Sequence, residues 1–340
     1  GGPQTLSDGM SFLTPEQADL FSMDAILNQG APFFVAVLAY AIGNQTISQR
    51  LFAVREDHIK PTFITATIGY GAIVIGLGMI GLMALMTGME PIDGDMNNLI
   101  PQMVSMYLSP IFIGLFFILV IGSLSSTADS DLSAMSAIVM ADVYGKNIAK
   151  NKPDPTKMLF IGRLTMVVAT LIGVILASFS MDILIMLVFV GALWGAIVFP
   201  VIASCFWNRV TNAAFTAAVI AGLVMFCIAR FELLPMVSAV AVLFELLAAV
   251  GGGVVLGLMA FGFCGRRVGL VVAAISAIGL AFLCVGFLRD YTVLLASLMA
   301  YGVSTIVCVV ISLMSSSEFD FSQINQDVIN SDPVKPATRA

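Results

Sequence analysis

The sequence predicts an all-α, polytopic integral membrane protein with about nine transmembrane helices, and three observations carry that reading. Of the 340 residues, 59% are hydrophobic and only 11% charged, with a mean hydropathy of +1.02. The apolar residues fall in repeated runs near the roughly 20 residues that cross a hydrocarbon core. Short turn-like or charged segments separate those runs, among them "REDHIKP", "GMEPIDGDMNN", "GKNIAKNKPDPTK" and "CGRRVG". A soluble core could not hide so much apolar surface. The net charge of -6, with no long basic tract, argues against nucleic acid as a partner. Cys205, Cys227, Cys264, Cys284 and Cys308 lie far apart with no C-x-x-C pair, so neither a zinc site nor a disulfide framework is indicated.

Taken in order, the chain opens on "GGPQTLSDGMSFLTPEQADLFSMD", which lacks an initiating Met, a basic n-region and an apolar h-region. It reads as an extracytoplasmic loop segment over 1–31 rather than a signal peptide, and the chain is expected to be part of a longer protein. Nine spans are expected, at about 32–49, 62–88, 108–144, 158–178, 182–206, 212–230, 236–263, 268–288 and 291–314. The polar end, 315–340, is expected to be a mobile tail.

Charge asymmetry orients these spans. With the first segment outside, thirteen of the fifteen basic residues fall in the cytoplasmic connections and tail, leaving Arg230 and Arg289 for the other side. This positive-inside bias supports an odd number of spans and a cytoplasmic C-terminus in a plasma membrane, or an inner membrane in a bacterium.

The third span is the unusual one. Its 37 expected residues would reach roughly 55 Å, well beyond a hydrocarbon core near 30 Å, so it must tilt or protrude. Its inner part reads "GSLSSTADSDLSAMSAI". Ser123, Ser126, Thr127 and Ser130 recur at i, i+3, i+4 and i+7 and share one helix face, with Asp131 at its edge; Asp129, Ser125 and Ser136 point elsewhere. Small residues of this kind can simply let helices pack closely, with the aspartates in water below the hydrocarbon. The other reading is a hard-cation site, because Na⁺ favours several neutral or anionic oxygens and a hydroxyl cluster supplies them.

These residues carry a family resemblance. "SLSSTADSDLSAMSAIVMADVYG", ending in Asp142-Val143-Tyr144, resembles the eighth core helix of the sodium:solute symporter family. "GNQTISQRLFAVRED" is similar to that family's sixth core helix, and "GALWGAIVFPVIASCFWNRVTNAAFTAAVIAG" to its tenth with the Trp-x-Arg turn that follows. The three lie in family order from residue 32 to about 230. The resemblance implies the second half of a LeuT-type inverted-repeat transporter, with core helices six to ten over 32–206 and accessory helices over 207–314; the first repeat would lie outside the chain.

It also implies a site. Ser126 and Thr127 match the two hydroxyl ligands of the family's sodium site, and Ser123 matches a further ligand position, with a second sodium left open. Paired aspartates such as Asp129 and Asp131 are a departure from the family pattern. They are candidates for raising cation affinity, carrying a proton, or pairing with a lysine such as Lys146. For solute, Gly43 interrupts an apolar helix before Asn44 and Gln45, and Asn44 falls where the family's sugar carriers use an asparagine. Asn44 and Gln45 either contact solute or satisfy freed backbone groups. Tyr40 is a gate or an interfacial anchor.

The solute is expected to be small, polar and organic. "FPVIASCFW" and the helices after the core resemble the urea-transporting branch, whereas "STADSD" does not, and sugars or amino acids stay open. Trp194 either faces the substrate pathway or, as is expected here, packs between Gly191 and Gly195, and Glu245 has no obvious partner in the sequence. An enzyme is not expected. Asp129 and Asp131 share one helix, unlike an intramembrane aspartyl dyad, and no G-x-S-x-G elbow accompanies His58. The predicted activity is sodium-coupled symport by alternating access, with proton coupling or a passive channel as alternatives.

Overall fold

The computed structural model describes residues 3–19, 21–150, 152–179 and 183–322. Among these the regular structure is helical: α1 (Pro3–Met10), α2 (Pro15–Ala18), α3 (Met23–Ala25), α4 (Ala31–Gly43), α5 (Gln45–Ala53), α6 (Ile59–Met86), α7 (Leu99–Tyr107), α8 (Pro110–Ile138), α9 (Pro155–Ala177), α10 (Ile183–Phe206), α11 (Asn212–Arg230), α12 (Ser238–Cys264), α13 (Arg266–Cys284) and α14 (Thr292–Met314). A π-helix over Val139–Ile148 prolongs α8. Local chemistry sets the boundaries: Pro110 opens α8, Asp154 caps α9 by accepting from the Thr156 N–H at 2.9 Å, and Thr211 caps α11 through the Ala214 N–H at 3.1 Å.

Nine helical stretches among the described residues are long and apolar enough to cross a membrane, the number expected. The first differs in place: it runs over Met23–Gly43, not 32–49, because the chain leaves helical geometry at Asn44 and α5 starts afresh. The long third span is found, over Pro110–Ile148. The opening segment, which reads as a loop, carries α1, α2 and α3. At the start of the tail the Phe319 N–H donates to the Asn208 carbonyl at 2.7 Å and Arg209 meets Glu318 at 3.1 Å. Residues 323–340 lie outside the described residues.

The chain divides into two bodies, Gly1–Ser22 with Asn44–Ser180, and Met23–Gly43 with Met181–Ala340. In the first, α8 packs on α9 where Ala134 and Ser136 are buried and Gly162 has no side chain; a Cβ there would meet the Ser136 hydroxyl at 2.8 Å. Elsewhere α6, α8 and α9 present long apolar side chains outward, as Ile68, Ile111 and Leu171 do.

In the second body α14 is the central helix, with Leu295, Met299 and Tyr301 fully buried. Lipid competes with apolar side chains for contact, so close backbone approach must hold such helices together. Gly251 on α12 and Gly302 on α14 supply it: a Cβ on Gly251 would fall on the Leu298 carbonyl, and one on Gly302 on the Leu247 carbonyl. Gly253 and Gly257 let Ala277 and Ala273 of α13 approach in the same way. Tyr301 extends the contact to α4, its hydroxyl donating to the Val35 carbonyl at 2.8 Å while its ring fills the space beside Gly195.

Glu245, for which the sequence offers no partner, is fully buried and saturated. Its carboxylate accepts from the Gly286 N–H at 2.9 Å, the Arg289 N–H at 3.2 Å and Arg289 Nε at 3.3 Å. Gly286 sits at φ 89°, a left-handed conformation that glycine adopts freely, which turns the loop back onto α12. The pair is invisible in the sequence because more than forty positions separate its members.

Two predictions follow from this packing. Gly251→Ala should destabilise by about 1–3 kcal/mol, while Gly279→Ala, whose Cβ would meet no neighbour, should be neutral or stabilise by up to about 1 kcal/mol; thermal unfolding in detergent compares them. Glu245→Ala should cost about 1–3 kcal/mol by leaving the Gly286 and Arg289 N–H donors without their acceptor, the Arg289 guanidinium itself being partly exposed, and Glu245→Gln less, in the same assay.

Candidate functional site

The site is built around a helix break and a hydroxyl-bearing helix face. In the first body Asn44 stands at the start of α5 with φ -77° and ψ 122°, and its side chain closes the helix end. Asn44 Oδ1 accepts from the Thr46 N–H at 2.7 Å and from the Thr46 hydroxyl at 2.5 Å. The side chain is buried, so of the two readings of Asn44 the capping role is present in the geometry. Its Nδ2 has no protein partner among the described residues and stays free to donate. Gln45 is exposed.

The preceding helix belongs to the second body. A Cβ on Gly43 would overlap the Trp194 ring, so glycine there is a steric requirement. Tyr40 lies against the other part of that ring, centroids 5.5 Å apart and planes tilted by 44°. This corrects the expected seat of Trp194. Gly191 and Gly195 do not bracket it: Gly191 admits Ala36 and Gly195 admits Tyr301, because neighbours on one helix point to different faces.

On α8, in the first body, Ser123, Ser126 and Thr127 are exposed. The Thr127 hydroxyl donates to the Ser123 carbonyl at 3.1 Å and the Ser130 hydroxyl to the Ser126 carbonyl at 2.9 Å, the one-turn back-bonds that make hydroxyls cheap within a span. Each hydroxyl thereby spends its proton on the helix's own backbone. Ser126 Oγ, Thr127 Oγ1 and the Ser123 carbonyl, the last already accepting from Thr127, are neutral hard oxygens whose chemistry suits Na⁺ and which would need further oxygens to complete a shell.

One partner escaped the sequence reading. Arg50, in the last turn of α5, donates to the Ser130 hydroxyl at 3.4 Å, so α5 touches α8 one turn beyond Ser126 and Thr127, which stay exposed. The available signal was the Gln49-Arg50 pair following a break, but nothing in the sequence says which helix it meets. Asp129 and Asp131 are exposed, with no ion-pair partner among the described residues. Lys146 does not reach them; it bonds Asp142 at 2.7 Å, one turn away on the same helix.

Residues 2–222 match the sodium:solute symporter family. The chain belongs to that family. No curated protein and no solved structure matches it. The match runs from before α1 into α11, and so includes both the break and the α8 face. The chain is thus a multi-pass membrane transporter and not an enzyme, of a family in which sodium is the coupling ion.

Asn44 makes a testable distinction in the symporter. Asn44→Ala should cost about 0.5–2 kcal/mol, and Asn44→Ser should recover most of that by restoring a capping oxygen while still lacking the amide donor. Thermal unfolding reads the cap.

Proposed function

We propose that the protein carries out sodium-coupled secondary active symport of a small polar organic solute across the plasma membrane, by alternating access and with its C-terminus cytoplasmic. The observation that carries this reading is the α5–α8 contact: the half-helix capped by Asn44 is pinned through Arg50 to Ser130, on the face bearing the hydroxyl set. Sodium would be held by Ser126 Oγ and Thr127 Oγ1 with the Ser123 carbonyl, its charge met by neutral dipoles. Solute would be met by the free amide donor of Asn44, with Gln45 beside it. Gly43 and Tyr40 support the end of the preceding helix through Trp194.

Coupling then needs no separate device. An ion on α8 and a solute at the cap of α5 bias one packed pair of elements toward the same state, which is the thermodynamic content of symport. The LeuT-type inverted repeat stays part of this proposal, supported by the broken helix and by the family's own helix order.

A second reading, proton coupling, is favoured by one specific feature: Asp129 and Asp131 carry unpaired carboxylates within a turn of the hydroxyl set. Radiolabelled sodium binding separates the two. Thr127→Ala should weaken sodium affinity about tenfold or more, equivalent to at least about 1.4 kcal/mol, with little change in thermal stability. Unchanged sodium affinity in that variant would remove Thr127 from the site. Asp129→Asn with Asp131→Asn should leave sodium binding intact; loss of all ion-driven uptake there, with no sodium binding in the parent, would shift the assignment to protons.

A further inference from the structure

In the second body, α10 and α12 finish and α13 begins at the same end, and a groove of about 270 Å³ opens between them and α14. Its base is made of Gly257, Gly269 and Ala273, and its sides of Phe199, Phe206 and Phe261. Phe206 and Phe261 meet edge to face with centroids 5.2 Å apart. The mouth is different in kind: Trp207 and Arg266 line it, and Arg267 follows at once.

The charges at this end are not equivalent. Arg209, two positions past Trp207, is neutralised by Glu318. Arg266 and Arg267 are exposed and have no ion-pair partner among the described residues. An apolar trough whose mouth carries uncompensated guanidinium charge and an indole is shaped for a molecule with an apolar chain and an anionic head. In a membrane-spanning chain that end lies at the boundary of hydrocarbon and water, where Trp is enriched and where basic pockets between helices select anionic lipid headgroups.

We propose that this groove is a binding site for an anionic glycerophospholipid, one acyl chain lying along Gly257, Gly269 and Ala273 and the phosphate meeting Arg266 and Arg267. Phe206 and Phe261 wall the chain laterally, and Trp207 sits at the level of the ester and headgroup region. Arg recognises the phosphate through its planar fork, so charge alone is not the whole of the selection. The groove is built from α10, α12, α13 and α14 and shares no residue with the Asn44 and α8 features.

Native mass spectrometry of the full chain tests it, with phosphatidylglycerol and phosphatidylcholine of identical acyl chains as probes. One saturable phosphatidylglycerol adduct is expected, about tenfold tighter than phosphatidylcholine. Arg266→Ala with Arg267→Ala should bring the two lipids to within about twofold of each other. Leu270→Trp, a change at an exposed groove residue, should weaken both lipids together. Millimolar inorganic phosphate should not displace the lipid. Equal affinity for the two lipids in the parent, a preference that survives loss of both arginines, or displacement by inorganic phosphate would each overturn the proposal. Thermal unfolding of each variant confirms that it remains folded, and the arginine pair, being exposed, carries the test if Leu270→Trp does not fold.

Discussion

A helix gains little by hiding Leu or Ile from lipid, because the lipid tail is as apolar as the side chain it replaces. What holds the second body together is therefore close contact between backbones, and Gly251 against α14 and Gly302 against α12 are where it happens. From that seam the order of the body can be followed outward. It fixes α14, α14 places Tyr301, and the Tyr301 hydroxyl reaches the Val35 carbonyl and so fixes α4. The last residue of α4 is Gly43, whose missing side chain leaves room for Trp194. Packing choices far from the helix break thus decide what surrounds its upstream edge.

The second constraint is that hydrocarbon offers no hydrogen bonds to an interrupted backbone. A break at Gly43 and Asn44 is tolerable because Asn44 turns its side-chain amide oxygen onto the Thr46 N–H, closing α5 from within. That use consumes one half of the amide and leaves the other, Nδ2, as a donor. The same economy appears on α8, where the Thr127 and Ser130 hydroxyls spend their protons on backbone carbonyls and the Ser130 oxygen in turn accepts from Arg50. At Asn44 and at Thr127 a group that satisfies the fold keeps a second polar function, the one on which the proposed site draws.

Charged groups sort into two kinds. Glu245 with Arg289, Asp142 with Lys146 and Arg209 with Glu318 are paired, and each tie is structural: a loop onto a helix, a turn within a helix, a tail onto a connection. Asp129 and Asp131 on α8, and Arg266 and Arg267 at the start of α13, are left without ion-pair partners among the described residues.

By itself the sequence determined what depends on composition and period: a helical, membrane-spanning chain, nine spans, a break at Gly43, and one hydroxyl face on the third span. These are local properties, since hydropathy and the 3.6-residue repeat act over one or a few turns. It also carried the family, because the order of three motifs survives in one dimension. Tertiary structure alone decided what meets what. Arg50 joins Ser130 across eighty positions, Glu245 finds Gly286 and Arg289, and Trp194 covers Gly43 rather than nesting between its own glycines. The sequence states which side chains can bond, but a partner is chosen by the packing of distant helices, and in lipid that packing follows from where glycines let two backbones touch.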